Sequence, residues 1–592
     1  MINKIYKIGS YILNNSTKYL KYTNSFEDIT DNGKYKNLII IQLKKETLEF
    51  EKVDLEELTQ ENLHKYLYKT GSPNGLNYTP CSKITEPKKT LKIKILNFFK
   101  TYEKDSKFLK DIYSVLKNNY EKIQEDIETK YKSIGEKETA LTIKIGNKYI
   151  GEFEDVQKIF NDKCSEQYYH QYKLTSKSNN KICSLCKKEK EVFGFVNTYQ
   201  FYSVNEKGFV SGGFKQENAY KNYPVCKGCA KILETGKTYI NNNLQNSFYN
   251  IPYLLIPYTT IQESDALATF FRKVEQYHQD TLKLKKDTKN KIGNLERRFL
   301  QLLGDNENFI NFSFLFYEAP KGLNGSVFKI QLHIEDIVPS RLNLIFEKMN
   351  EINKQDYCLL YSNDKPYFFN IGVVRELYPW ESKNHPNIYP FLFFVKQLFQ
   401  NNKLSYKKIL SDIILRLRKT FKQNFHSNEF SFFLKTVQFF ALLNLLFKLD
   451  MFYDYKKQGG TIMSNADNEY DEFFLKNTDF FNSDEKKLLF LIGILVKKLL
   501  NIQFQERNAT PFYKNLKALS LNQKDFQQIF TKTINKLNEY NKNYYADLEA
   551  LITDYFIKAG DVWKLSKKEM NFTFALGLAL NKKFNNKETN NE

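Results

Sequence analysis

Two Cys-x-x-Cys pairs, Cys183-Ser-Leu-Cys186 and Cys226-Lys-Gly-Cys229, constrain this chain more than any other feature. A two-residue gap lets each pair offer two thiolates to neighbouring corners of a tetrahedron, so the chain must leave the first pair, fold, and return to the same point. The spacing predicts a structural zinc ion held by Cys183, Cys186, Cys226 and Cys229. Four thiolates close the coordination shell and leave no position for water, so catalytic zinc is not expected. Cys81, Cys164 and Cys358 read as small buried residues, and His170 is the weak substitute ligand. The segment 1–20 lacks the apolar core and small-residue cleavage site of a secretion signal, which points to the cytoplasm. There the thiols stay reduced, which argues against paired disulfides.

Around these pairs the pattern predicts an α+β N-terminal region with the four-Cys module inserted, followed by an all-α C-terminal bundle. Leu38 to Leu43 (LIIIQL) reads as a buried strand, and Leu141 to Ile145 with Lys148 to Phe153 reads as a hairpin about Gly146-Asn147. Further strands are expected at 192–204, 252–258, 309–317 and 326–334, with loops at 70–88 and 318–325. The expected divisions are an N-terminal α+β domain at 1–180, the zinc module at 181–240, and a second α+β segment at 241–385. A helical region at 386–462 and a terminal bundle at 463–592 follow. In the last of these, Phe526, Ile529, Phe530, Thr533, Ile534 and Leu537 fall on one helical face, as do Leu548, Leu551, Ile552, Tyr555 and Phe556. The apolar stretches Thr436 to Phe447 and Leu488 to Val496 are too short to span a bilayer and read as buried helices; no membrane partner is expected.

Charge narrows the partner class. The chain has 89 Lys plus Arg against 68 Asp plus Glu, a net charge of +21, which favours a polyanion. Abundant Lys, Asn, Ile, Tyr and Phe are also what AT-rich coding produces, so the lysine excess alone decides little. Arginine is the better marker because its planar fork grips phosphates and bases as lysine cannot. All eight arginines lie beyond residue 271: Arg272, Arg297, Arg298, Arg341, Arg375, Arg416, Arg418 and Arg507. The terminal 130 residues hold 19 basic against 17 acidic side chains, so nearly all the excess sits upstream.

Motifs for chemistry fail. Gly236-Lys237-Thr238 lacks the upstream glycine of a phosphate loop, position 231 being Lys, and Gly236 reads instead as a helix C-cap. The six histidines are scattered, with no HExxH and no GxSxG. A binding protein is expected rather than an enzyme.

From Asn197 to Ile240 the chain runs NTYQFYSVNEKGFVSGGFKQENAYKNYPVCKGCAKILETGKTYI, and from Phe328 to Leu342 it runs FKIQLHIEDIVPSRL. These stretches resemble the large subunit of type I-B CRISPR surveillance complexes (Cascade). In that family an aromatic strand, a Gly-Gly-Phe turn and a Pro-Val-Cys-x-x-Cys-Ala knuckle stand together before a helix, and a strand is followed by Ile-x-Pro-Ser-Arg. The two stretches cover about a tenth of the chain. The resemblance implies a non-catalytic antiviral-defence subunit that contacts the 5′ handle end of the CRISPR RNA and recognises a protospacer-adjacent motif in duplex DNA. It further implies help in opening the strands, contact with the displaced strand, and recruitment of a separate helicase-nuclease. The implied protein partners are the backbone and handle-binding subunits of Cascade and small helical subunits, which the terminal bundle resembles.

Within that reading Lys321 and Asn324, between glycines in a strand-joining loop, are candidates for DNA contact, with Lys215 in the Gly-Gly-Phe turn and Lys329. Arg341, at a Pro-Ser-Arg helix start, is a further DNA-binding candidate. Arg297, Arg298, Arg416, Arg418 and Lys422 are candidates for the nucleic-acid backbone; plain hairpins and solvated helix faces would account for the same residues. Lys457-Gln458-Gly459-Gly460 before Met463 can encode a ribosome-binding sequence, which makes Met463 a candidate internal translation start for a separate small subunit. Two other classes stay open. One is the large subunit of a related effector with a nucleotide-cyclase palm, which needs Gly-Gly-Asp-Asp where this chain has Gly212-Gly213-Phe214-Lys215. The other is a free-standing zinc-ribbon nucleic-acid-binding protein.

Overall fold

A computed structural model describes residues 1–15, 26–31, 33–171, 173–199, 204, 210, 213–259, 264–284, 303, 310–318, 329–361, 369–379, 387–424, 429–455 and 466–584. Contacts gather these into two compact units. The first comprises Met1–Asn246, Pro252–Tyr258 and Tyr317–Ile330; the second comprises Ser247–Ile251, Thr259–Phe316 and Gln331–Glu592.

The first unit is built on a five-stranded sheet. Strand β1 (Asn37–Leu43) pairs antiparallel with β2 (Phe50–Glu57) and parallel with β4 (Thr139–Ile145), while the short β3 (Ser82–Lys83) and β5 (Lys148–Tyr149) flank β4. The expected run Leu38–Leu43 is the buried central strand, with Leu38 to Ile41 wholly inaccessible. A core of Ile39, Ile41, Ile95, Phe98, Phe99, Ile112, Leu141 and Ile143 forms between this sheet and its helices. The hairpin turns at Gly146, whose φ of 56° suits glycine, but its second strand is shorter than predicted. After Tyr149 the chain enters a tight helical turn, fixed by Glu152 accepting the Tyr149 N–H. The break at 70–88 is irregular apart from β3 and the start of a helix.

Three of the remaining predicted strands appear, at Ile251–Thr259, Ile310–Glu318 and Lys329–Ile337. The one expected at 192–204 does not: only its first two residues belong to a strand, Glu189–Phe193, and the described residues 194–199 are irregular. From residue 369 the described chain is helical. Helices Tyr406–Asn424, Glu429–Lys448, Asp484–Arg507, Gln523–Glu539, Ala546–Ala559 and Lys567–Leu580 form the body of the second unit. Phe526, Ile529, Thr533 and Leu537 face inward as their spacing predicts, and so do Leu548, Ile552 and Tyr555. The two apolar stretches lie in helices longer than the stretches themselves, of 20 and 24 residues. By length and composition these two could cross a membrane, but their apolar windows are 72% and 83% buried inside the protein.

Helix Asp484–Arg507 crosses Lys567–Leu580 at a pair of glycines. A Cβ on Gly493 would stand 2.3 Å from the Phe574 carbonyl oxygen, and one on Gly577 would stand 2.0 Å from that of Phe490. The segment beyond 463 does not pack by itself. Lys497 Nζ donates to Glu429 at 2.9 Å, Asn444 Nδ2 donates to Asn477 Oδ1 at 3.1 Å, and Glu429–Lys448 packs on Lys567–Leu580.

Candidate metal centre

Strand β6 (Lys177–Ile182) and strand β7 (Glu189–Phe193) form a hairpin whose turn carries Cys183 and Cys186. The turn closes on itself, with the Cys183 N–H donating to Lys188 O at 3.0 Å and the Lys187 N–H to Cys183 O at 3.0 Å. Strand β8 (Val225–Cys226) adds to β7, placing Cys226 opposite Val192. Helix α2 (Lys227–Asn243) starts at the next residue, so Cys229 stands in its first turn. A third link, from the Ser184 N–H to Pro224 O at 2.8 Å, ties the two knuckles together.

The four Sγ atoms all lie within 4.8 Å of one another, Cys186 to Cys226 being 3.9 Å. A tetrahedral ion with bonds of about 2.3 Å sets its sulfurs about 3.8 Å apart, so the cluster fits a thiolate-held metal after small side-chain adjustments. Cys183, Cys226 and Cys229 are buried and Cys186 is partly exposed. Burial disfavours the thiolate at Cys183, yet N–H groups of Cys226, Cys186 and Leu185 turned toward its sulfur bring its pKa down to about 7. At Cys226 and Cys229 burial pushes the pKa up. A cation among these sulfurs would hold all four as thiolates.

Helix α1 (Ile2–Asn14), remote in sequence, completes the site. The Cys229 thiol donates toward its Tyr6 hydroxyl at 3.8 Å, and burial together with Cys229 raises the Tyr6 pKa to about 12, so the hydroxyl stays protonated and would donate in turn to a metal-held Cys229 thiolate. Two glycines let the helices meet: a Cβ on Gly9 would be 1.9 Å from Ile232 O, and one on Gly236 would be 2.3 Å from Ile5 O. Gly236 is therefore no C-cap. It sits inside α2, which runs on to Asn243, and its missing side chain admits α1.

The other sequence candidates are not brought together at this centre. His170 is exposed, with Nδ1 3.0 Å from Thr175 Oγ1, and Cys81, Cys164 and Cys358 are buried apart from the cluster. Lys215 is exposed beside Gly213, whose φ is 80°, and Lys329 is exposed 3.7 Å from Glu318. Arg341 is a correction: it is 8% exposed, its Nε donates to Leu398 O at 3.0 Å, and Nη2 lies 3.0 Å from Met451 Sδ. On helix Pro339–Asn353 it shares the buried face of Ile345, Met349 and Ile352, so it braces the interior instead of meeting DNA. Arg416 turns its guanidinium toward Glu376 at 4.0 Å, whereas Lys422 of the same helix is exposed and Arg418 partly so. Lys321, Asn324, Arg297, Arg298 and Met463 lie outside the described residues.

Three family models match in order along the chain. Residues 1–162 match the N-terminal domain of CRISPR-associated protein TM1802, 180–337 its central domain, and 369–592 its C-terminal domain. The chain belongs to the CRISPR-associated TM1802 family. All four cysteines fall within the TM1802 central domain, near its start, while Tyr6 and Gly9 belong to the N-terminal one. No curated protein matches the chain.

Proposed function

We propose that this chain is the non-catalytic large subunit of a type I-B CRISPR RNA-guided DNA surveillance complex. The observation that carries the reading is the ordered match of all three TM1802 domains, with a four-thiolate cluster inside a lysine-rich central segment. The metal is zinc, which suits four cysteine ligands and serves as a brace because the shell is closed. In this reading the protein works in the cytoplasm, reads the protospacer-adjacent motif and holds the duplex backbone, while base pairing to the CRISPR RNA reads the sequence. Lys215 and Lys329 supply exposed donors for DNA, together with Lys321 and Asn324; Arg297, Arg298, Arg418 and Lys422 track the backbone of the target or the displaced strand. The backbone, handle-binding and small helical subunits complete the assembly, and a helicase-nuclease joins it after strand opening.

Purification of the assembled complex tests this. A stoichiometric CRISPR RNA and motif-dependent duplex binding are expected, with Lys215→Ala, Lys321→Ala and Asn324→Ala weakening that binding by about five- to a hundredfold where they read bases. A monomer without RNA overturns the reading. Met463 is the start of a second, smaller product in this proposal, and Met463→Leu should remove a 463–592 polypeptide from the preparation. Because that segment shares its core with Glu429–Lys448, the free product needs a partner surface in place of that helix.

A further inference from the structure

Strand β8 pairs only with Val192 and Phe193, so from 181 to 190 the hairpin of β6 and β7 is a ribbon of two strands. Residues 179–182 and 189–191 of that ribbon are all exposed. Cross-strand neighbours of opposite charge support such a pairing, and like charges set opposite one another work against it. Here the register sets Lys181 directly opposite Lys190. Side chains so placed have Cβ atoms about 4.5–5.5 Å apart, inside the screening length of about 8 Å at physiological salt, so the two cations repel.

Lys187 and Lys188 stand exposed in the turn that joins the strands. Among the described residues none of these four lysines has an ion-pair partner, although neighbouring lysines do: Lys177 lies 3.2 Å from Glu191 and Lys227 lies 3.7 Å from Asp162. Of the two carboxylates on the ribbon, Glu191 is thus engaged and Glu189 stands opposite Ile182. The backbone keeps the lysines together, because the turn carries Cys183 and Cys186 and its Ser184 N–H donates to Pro224 O at 2.8 Å. A register that costs the ribbon stability and leaves four cations without carboxylates is complementary to an extended polyanion lying across it.

The other side chains of the ribbon narrow the polyanion. Between Ser178 and Lys181 the register shifts, and Asn179 and Asn180 bulge there, Asn180 with a φ of 53°. Their exposed amides both donate and accept, as contacts to base edges require. No aromatic residue occurs between Lys177 and Glu191. Single strands are held largely by stacking on aromatic rings, whereas a double helix presents a dense, outward row of phosphates that point charges can meet.

We propose that this ribbon docks on the backbone of double-stranded DNA, with Lys181, Lys187, Lys188 and Lys190 on phosphates and Asn179 and Asn180 toward base edges of the adjoining groove. The choice of DNA rests on the function given above; the contact is one made by the metal module itself, apart from Lys215, Lys321 and Asn324.

Fluorescence anisotropy of the full chain with a short labelled duplex, its single strand and poly-glutamate as probes tests the proposal. Lys181→Ala with Lys190→Ala should lower duplex affinity about tenfold and reduce the slope of log affinity against log salt by about 2. Lys177→Ala with Lys227→Ala removes the same charge from lysines that already have acidic partners, and should lower affinity no more than about twofold. Lys190→Glu separates docking from folding: it sets an opposite charge across from Lys181, so melting temperature and metal content should hold or rise while duplex affinity falls. No duplex binding by the unsubstituted chain, equal losses in the two double variants, or unchanged binding in Lys190→Glu overturns the ribbon's role. Poly-glutamate or the single strand bound as tightly as the duplex overturns the choice of partner. Failure of the surveillance reading shows separately, as a purified preparation that lacks CRISPR RNA.

Discussion

Between Lys177 and Lys231 the chain carries ten lysines against four glutamates, whereas residues 463–592 hold 19 basic against 17 acidic side chains. The cohesion of the two regions differs as much as their charge. Near the cysteines the apolar cluster is small, centred on Phe195, Val204, Val210 and Ala219, and strand β6 is almost wholly exposed. In the helical unit Leu488 to Val496 is inaccessible throughout, and the chain closes on itself through the Gly493–Gly577 crossing. A segment that keeps its surface lysine-rich has few side chains left for a core, and four metal bonds can supply what packing does not. The helical region coheres through its packing.

The largest expected effect separates these two kinds of cohesion. Cys183→Ser or Cys229→Ser, or removal of the metal by chelation, should abolish amide-exchange protection across 177–243 while leaving Asp484–Arg507 protected. Equal loss in both regions would sink the distinction. Conversely, Gly577→Val drives side-chain atoms into the Phe490 carbonyl and should cost the helical unit about 3 kcal/mol, with metal content unchanged, read by urea melts and metal analysis.

A pH test sharpens the contrast further. Burial lowers the Lys486 pKa from 10.5 to about 8. Below pH 8 the lysine is charged in both the folded and unfolded states, and folding bears the full burial cost. Between about 8 and 10.5 the unfolded chain holds the proton that the folded chain has released, so stability rises with pH. Relative to Lys486→Met, the unsubstituted helical unit should gain up to about 3 kcal/mol over that window, read by urea melts at each pH. Smallest is Tyr6→Phe, which removes one weak donor from Cys229 and should speed metal loss to a chelator severalfold without unfolding the module.

The gathering of the four cysteines was legible because metal spacing is a local pattern, and the inward faces of Gln523–Glu539 and Ala546–Ala559 because helical period is local too. What escaped depends on distant partners. Gly236 resembles a cap when only its neighbours are considered, and nothing near it announces Gly9. Arg341 follows Pro339-Ser340 as an exposed helix-start arginine would, but the register of Ile345, Met349 and Ile352 turns it inward. Tyr6 carries no motif at all, and only the crossing of α1 with α2 gives it a role.

That crossing also sets an order in time. Gly9 leaves the ribosome more than two hundred residues before Gly236, an interval of roughly 10–45 s at ordinary elongation rates. During it α1 has an apolar face, Ile5, Ile8 and Ile12, and no partner to cover it. The module therefore stays unfinished until its second knuckle emerges, and nascent-chain folding should show metal retention only once α2 has been made.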